Sequence, residues 1–236
     1  MMRIKDGITF GEFDSMNEGL LLTHREDTPP EEKVIKESLP FVQGDYDFSR
    51  ILGEAIRENR PVRYEFFIKE YNHEYRKTLE IKYENMLLNQ GMARIYDTAN
   101  LGYYFYGKCI NAEVFLDSNW QQLKLVVTFD CYPYMISELK EGHDIWDEFN
   151  FELDVAQIPA FEVNGSREVT LYNAGASSVV PTIKASSEFT IEIDTISVTV
   201  SAGTHKSELI RLRKGENRIM LTGNGTIEFD FYKELI

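Results

Sequence analysis

The chain has 236 residues, 43% hydrophobic and 27% charged, with a formal net charge of −14. That is enough apolar material for one large domain or two ordinary ones, and too much for wholesale disorder. So acidic a chain is a poor nucleic-acid binder, because displacing counterions from phosphate takes a basic patch. The longest apolar pieces, such as LKLVVTF, fall far short of a membrane-spanning helix, so no membrane span is expected. MMRIKDGITF has no apolar signal core, and folding in a cytoplasm is the expectation.

Short apolar pieces open the chain: Ile8–Phe10, Leu20–Leu22 and Val34–Val42. Gly7, Gly11, Gly19 and the Pro29–Pro30 pair punctuate them, which reads as strands and turns. Proline has no amide to donate, so the pair belongs on an edge or an exposed arm. Residues 26–42 are therefore expected to form a projecting hairpin arm. Val34, Ile35, Leu39, Phe41 and Val42 on it would stay in water unless a partner covered them, which makes them the candidate oligomer interface. Asp47–Asn59 reads as a short helix with Ile51, Leu52, Ala55 and Ile56 on one face. Pro61 closes it, and a strand follows over Val62–Lys69.

A long helix is expected over residues 71–89. Tyr75, Leu79, Tyr83 and Leu87 recur every four residues with Met86 alongside, charged residues take the other faces, and Gly91 is the stop. Strands follow at Met92–Tyr96, Tyr103–Leu116 and Leu123–Cys131, giving an α+β first domain. If the last two pair around Asp117–Asn119, Cys109 faces Val127 and Cys131 faces Phe105. The sulfurs are then about 13 Å apart along the ladder, too far to bridge, so both cysteines read as small buried hydrophobes.

Residues 138–154, ELKEGHDIWDEFNFELD, carry many acids against one lysine, and the shift in composition marks a boundary. Domains are expected at 1–137 and 149–236, with an acidic linker at 138–148. Beyond it, short alternating runs separated by Gly-containing turns predict an antiparallel sandwich, with Phe189, Ile191 and Ile193 on one face and Ile227, Phe229 and Phe231 on another strand's inner face. LTGNGT at 221–226 reads as a hairpin turn joining two strands.

Reactive constellations are not apparent. Asp144, Asp147 and Glu148 crowd together, but without ligand spacing they read as a solvated face. His24, His73, His143 and His205 are scattered singly, and GxSxG, GxxxxGK and strand-to-helix GxGxxG patterns are missing. No catalytic residue, metal or cofactor is expected. Consecutive aromatics at Tyr103–Tyr106 and the Tyr132/Tyr134 pair keep a sugar-stacking reading open. Against it, Trp120 and Trp146 lie outside the C-terminal sandwich, which offers few rings beyond Tyr172 and Tyr232.

Four ordered stretches resemble the distal tail (Dit) proteins of siphophages and their prophages. They are ITFGEF…LLLTHRED…PPEEKVIKESLPFVQGDYDFS, the helix with ARIYDTANLGYYFYGKCINAEVF, TFDCYPYMI, and TLYNAG…VVPTIK…LRKGENRIMLTGNGTIEFDF, the last read as a GENRI turn before a final hairpin. The resemblance implies a mostly β chain, with an N-terminal ring-forming β-sandwich carrying one helix and a galectin-like C-terminal β-sandwich. It implies a homohexameric ring that joins the tail tube protein to a tip protein or tail-associated lysin, often with receptor-binding proteins outside. It also implies a place at the virion tail tip after synthesis in the bacterial host. The helix-prone ILGEAIREN departs from the family pattern. The competing expectation is a carbohydrate-binding module for host cell-wall glycans, and a sandwich hydrolase is a third, since sandwich folds host all three.

Overall fold

The computed structural model describes residues 6–51, 53–69, 73–116, 122–143, 145 and 150–236. The chain forms two compact units, one ending at Met135 and the other running Ile136–Leu235. It is mostly β with a single α-helix among the described residues.

The first unit contains β1 (Ile8–Phe10), β2 (Phe13–Asp14), β3 (Leu21–Asp27), β4 (Lys36–Ser38), β5 (Asp45–Asp47) and β6 (Arg60–Ile68). A 3-10 turn (His73–Tyr75) leads into α1 (Arg76–Leu88), followed by β7 (Ala93–Asp97), β8 (Tyr103–Leu116) and β9 (Leu123–Cys131). Its sheet runs β2-β1-β7-β8-β9-β6-β3, with antiparallel neighbours throughout, and β4 with β5 forms a separate hairpin. The inward residues of β6 and β9, such as Tyr64, Phe66, Leu125 and Phe129, pack with Phe10, Phe13 and Phe105 into one core. Rings meet edge to face at Phe10–Phe129 and Phe13–Tyr83, with centroids 4.9 and 6.3 Å apart.

The helix narrows on the expectation. Tyr83 and Leu87 are buried and Leu79 and Met86 are partly so, but Tyr75 sits in the preceding 3-10 turn and is exposed. The stripe begins one turn later because only the C-terminal part of α1 lies fully against the core. Asp47–Asn59 is not a helix. Ser49 N–H turns back to Asp47 Oδ1 at 2.9 Å, Gly53 takes φ +87°, and Arg57 bridges to Glu32. Local side-chain bonds and a left-handed glycine thus compete successfully with helix formation. Leu52 and the Asp117–Asn119 turn lie outside the described residues.

The cysteine register also differs from the expected one. Cys109 faces Phe129 and Cys131 faces Gly107, because Leu116 pairs with Leu123 and an extra residue bulges between Cys109 and Asn111. Both thiols are free and buried. Burial pushes Cys109 up to about 11 and Cys131 up to about 12.

The chain enters the second unit through β10 (Met135–Ser137), where Ser137 N–H bonds Lys233 O at 2.9 Å. Then come β11 (Ala160–Asn173), β12 (Thr182–Ala185), β13 (Phe189–Ile193), β14 (Ile196–Val200), β15 (Gly203–Lys206), β16 (Gly215–Asp230) and β17 (Glu234–Leu235). The main sheet runs β14-β13-β16-β12-β15, all antiparallel, and β11 pairs with β16 from Gly215 to Glu228. The alternation is realised: Phe189, Ile191, Ile193, Ile227, Phe229 and Phe231 are all buried in its core.

LTGNGT is not a hairpin turn, and Gly215 opens one unbroken strand instead of a turn before a final hairpin. Gly223 and Gly225 lie opposite Gly165 and Val163 of β11. On its other side β16 leaves β13 after Gly223 and joins β12 from Ile227. The glycines allow that change of partner. A Cβ on Gly223 would stand 2.6 Å from the Phe189 ring and 2.7 Å from Glu188 O, and Gly225 has φ +136°. The two glycines that resemble a turn signal are needed for close approach and bending inside a strand.

Candidate assembly site

Between β3 and β6, which are neighbours in the sheet, the chain leaves the body and returns. Its two legs are tied at the base, where Glu58 N–H donates to Glu31 O at 2.9 Å and Lys33 N–H to Ile56 O at 2.7 Å around the Glu32–Arg57 bridge. They are tied again toward the tip, where Phe48 N–H donates to Ile35 O at 2.8 Å and the β4–β5 pairs follow. Arg50 grips Glu32 with two bonds of 2.8 Å, holding the Glu32 carboxyl below the usual carboxylate range. Ser49 does the same for Asp47, by side-chain and backbone bonds. The arm thus spans both legs, 31–58, and its hairpin proper is Lys36–Asp47.

The sequence-picked residues are all on this arm. Val34, Leu39, Phe41 and Val42 are exposed, and Ile35 is half-buried against Ser49, whose hydroxyl accepts its N–H at 2.9 Å. Phe41 is the extreme, at 108% exposure with a left-handed φ of +68° at the tip. Such a conformation is rare for a bulky residue. Tyr46, Phe48 and Ile51 are exposed as well, beyond the residues expected from sequence, and the alternation of DYDF is the signal that points to the first two. Tyr46 and Phe48 stack with centroids 6.4 Å apart. So many apolar groups in water on one excursion mark a surface awaiting cover.

The arm grows from a charged base. Arg60 is 2% exposed, pairs with Asp27, donates to Thr28 O at 3.1 Å and Pro133 O at 3.4 Å, and lies 5.2 Å from the Phe105 ring centroid. Burial holds the Asp27 carboxyl above its ordinary range, with Arg60 offsetting part of that. Beside it Arg25 Nε reaches both oxygens of buried Asp97 at 3.0 and 2.9 Å and Nη1 reaches Asp6 at 3.0 Å.

Other candidate chemistry does not converge. Asp144, Asp147, Glu148, Trp120 and Trp146 lie outside the described residues. Among the described residues, no three His, Cys, Asp or Glu side chains gather as a metal site. In the second unit, Lys140 and Lys184 are each shared by Glu228 and Asp230, beside a depression of about 390 Å³ whose lining includes no aromatic ring. Buried Lys233 pairs with Asp154 and donates to Leu153 O at 3.1 Å. Nearby Glu141 is buried, and burial raises its carboxyl pKa against the pull of Lys233.

The whole chain superposes on the crystal structure of the SPP1 Dit protein, a paradigm of the hub adsorption apparatus in phages infecting Gram-positive bacteria. The TM-score is 0.64 at 14% sequence identity, covering 98% of this chain and 99% of that one. The fold is that of a Dit protein. Two structures of the phage p2 baseplate in its activated conformation, with Sr and with Ca, align at 10% and 12% identity. They cover 94% and 97% of this chain and 92% and 97% of theirs, at TM-scores of 0.37 and 0.40. No family model and no curated protein matches the chain. The likeness to the Dit fold spans both units.

Proposed function

We propose that this chain is a non-enzymatic structural protein of a phage tail tip, a Dit-like hub. The observation that carries the reading is the match to the SPP1 Dit fold over 98% of the chain. In this reading the N-terminal 1–137 forms a homohexameric ring, and 149–236 is the galectin-like sandwich that follows it. The ring joins the tail tube protein to a tip protein or tail-associated lysin and docks receptor-binding proteins. The chain is made in the bacterial cytoplasm and ends in the virion.

The arm supports the assembly half of this reading. Burying apolar side chains is worth about 25 cal/mol per Å², and a second subunit is the natural cover for those of the arm. The test replaces residues 36–47 with a short Gly–Ser turn and compares the two proteins by light scattering and negative-stain imaging. Six-fold rings are expected of the full chain and their loss in the variant. Rings that survive the replacement, or a full chain that stays monomeric beside its tube partner, would overturn the reading.

A further inference from the structure

We infer that the arm docks on the outward face of β7, β8 and β9 of a second copy, around Arg94, Tyr106, Lys108, Ile110 and Tyr132. The inference rests on the arm being an assembly element, as proposed above, and names what receives it.

Strand alternation builds the receiving face. Ile95, Phe105, Cys109, Phe129 and Cys131 point into the core and are buried, so their even-numbered neighbours point outward. Arg94 pairs directly with Tyr106, and Tyr132 N–H donates to Tyr106 O at 2.7 Å, which sets Tyr132 beside it. The Arg94 guanidinium stands 4.5 Å over the Tyr104 ring, and Tyr104 lies 5.7 Å from Tyr96. The bulge after Cys109 leaves Ile110 out of the ladder register, with 52% of its surface exposed. Tyrosine with arginine around an aliphatic knob is the composition of an interface core.

Charge then chooses the occupant. This face sets Arg94, Lys108 and Lys124 against Glu113 and Asp130, three cations to two acids, on a chain of net charge −14. The hairpin 36–47 sets Glu37, Asp45 and Asp47 against Lys36, three acids to one cation, all four exposed. An acidic, apolar tip and a cationic, aromatic face are complementary. They do not meet within one chain, since Phe41 at the tip is fully exposed. The arm leaves from the same end of the sheet as the face, where Arg60 pairs with Cys131 and Cys131 with Gly107. Ten residues of leg, at no more than about 3.3 Å each, can carry the tip up to about 33 Å from that end. Two different patches on identical chains make a head-to-tail contact, which closes into a ring or grows as a filament.

The test uses two full-length variants with intact cores by circular dichroism, Phe41→Asp on the arm and Lys108→Glu with Tyr106→Ala on the face. Each alone should raise the concentration needed for assembly about tenfold or more. Mixed together they keep one good arm and one good face, so sedimentation should show one-to-one dimers and nothing larger. A face variant that assembles like wild type, while the arm variant fails, overturns this acceptor and leaves the arm reading standing. An arm variant that assembles normally overturns the arm reading and this inference with it. So does a wild-type chain that stays monomeric at its highest soluble concentration with its tube partner present.

Discussion

A guanidinium with almost no access to water is stable only when its donors are occupied, and Arg60 is held by Asp27, two carbonyls and a ring face. Arg60→Met keeps the volume but leaves Asp27, 35% exposed, without its counter-charge and two carbonyls without a donor, so stability at neutral pH should fall by about 1–3 kcal/mol. The pH dependence follows from Asp27. Its folded pKa is raised above the unfolded value, so its ionised form opposes folding above that pKa, and the opposition fades as pH falls through it. Urea titrations at neutral pH and at about pH 4.5 should show the deficit shrinking in acid. None of this is legible in the sequence, where Pro61 moves the expected strand start to Val62 and leaves Arg60 outside it. The arm residues were legible, because Val34, Leu39 and Phe41 follow a proline pair that no central strand would tolerate.

At the scale of elements, depth separates residues that share a period. Leu87 is fully buried and Leu79 only partly, although both belong to the same four-residue stripe of α1. Leu87→Ala should cost about 2–5 kcal/mol and Leu79→Ala roughly half as much or less, read from chemical denaturation of the two variants. Periodicity reports direction and cannot report how far a helix reaches over its sheet. Strands were read closely: Tyr103–Leu116 and Leu123–Cys131 fall on β8 and β9 residue for residue. The register between them is harder to read: turn length leaves no trace in alternation, and the bulge shows only as the switch of inward residues from Phe105 and Cys109 to Ala112 and Val114. Glycine misled at 223–225, where turn chemistry and strand bending call for the same residue. Gly223→Ala should lower stability more than Gly225→Ala, because its Cβ meets backbone oxygen and a packed ring whereas the nearest atom to the other is the Ser186 hydroxyl. The penalty for Gly225→Ala should be about 1–3 kcal/mol, the usual strain of such a conformation, and equal melting shifts for the two would refute the ordering.

Across the whole molecule, charge and apolar surface act on different lengths. Fourteen net negative charges per chain repel neighbours over tens of ångströms, while an arm seated on its acceptor works at contact. Raising salt from about 0.01 to 0.15 M shortens the screening length from about 30 to about 8 Å, removing the long-range repulsion first. Sedimentation across that range should show association strengthening with salt, and a steady weakening would mean that contact charge pairs dominate. The mostly β class and the order of the segments were readable along the entire chain. Which surface faces a partner was not, since it depends on residues brought together from β7, β8 and β9. The ties between the two legs of the arm have a consequence for digestion. Lys33, Lys36, Arg50 and Arg57 give trypsin several bonds to attack there, yet Arg50–Glu32 and the base bonds hold the legs together. A free chain should be nicked in the arm while its two fragments still migrate as one particle, separating only in denaturant, and a chain seated in an assembly should resist the cut altogether.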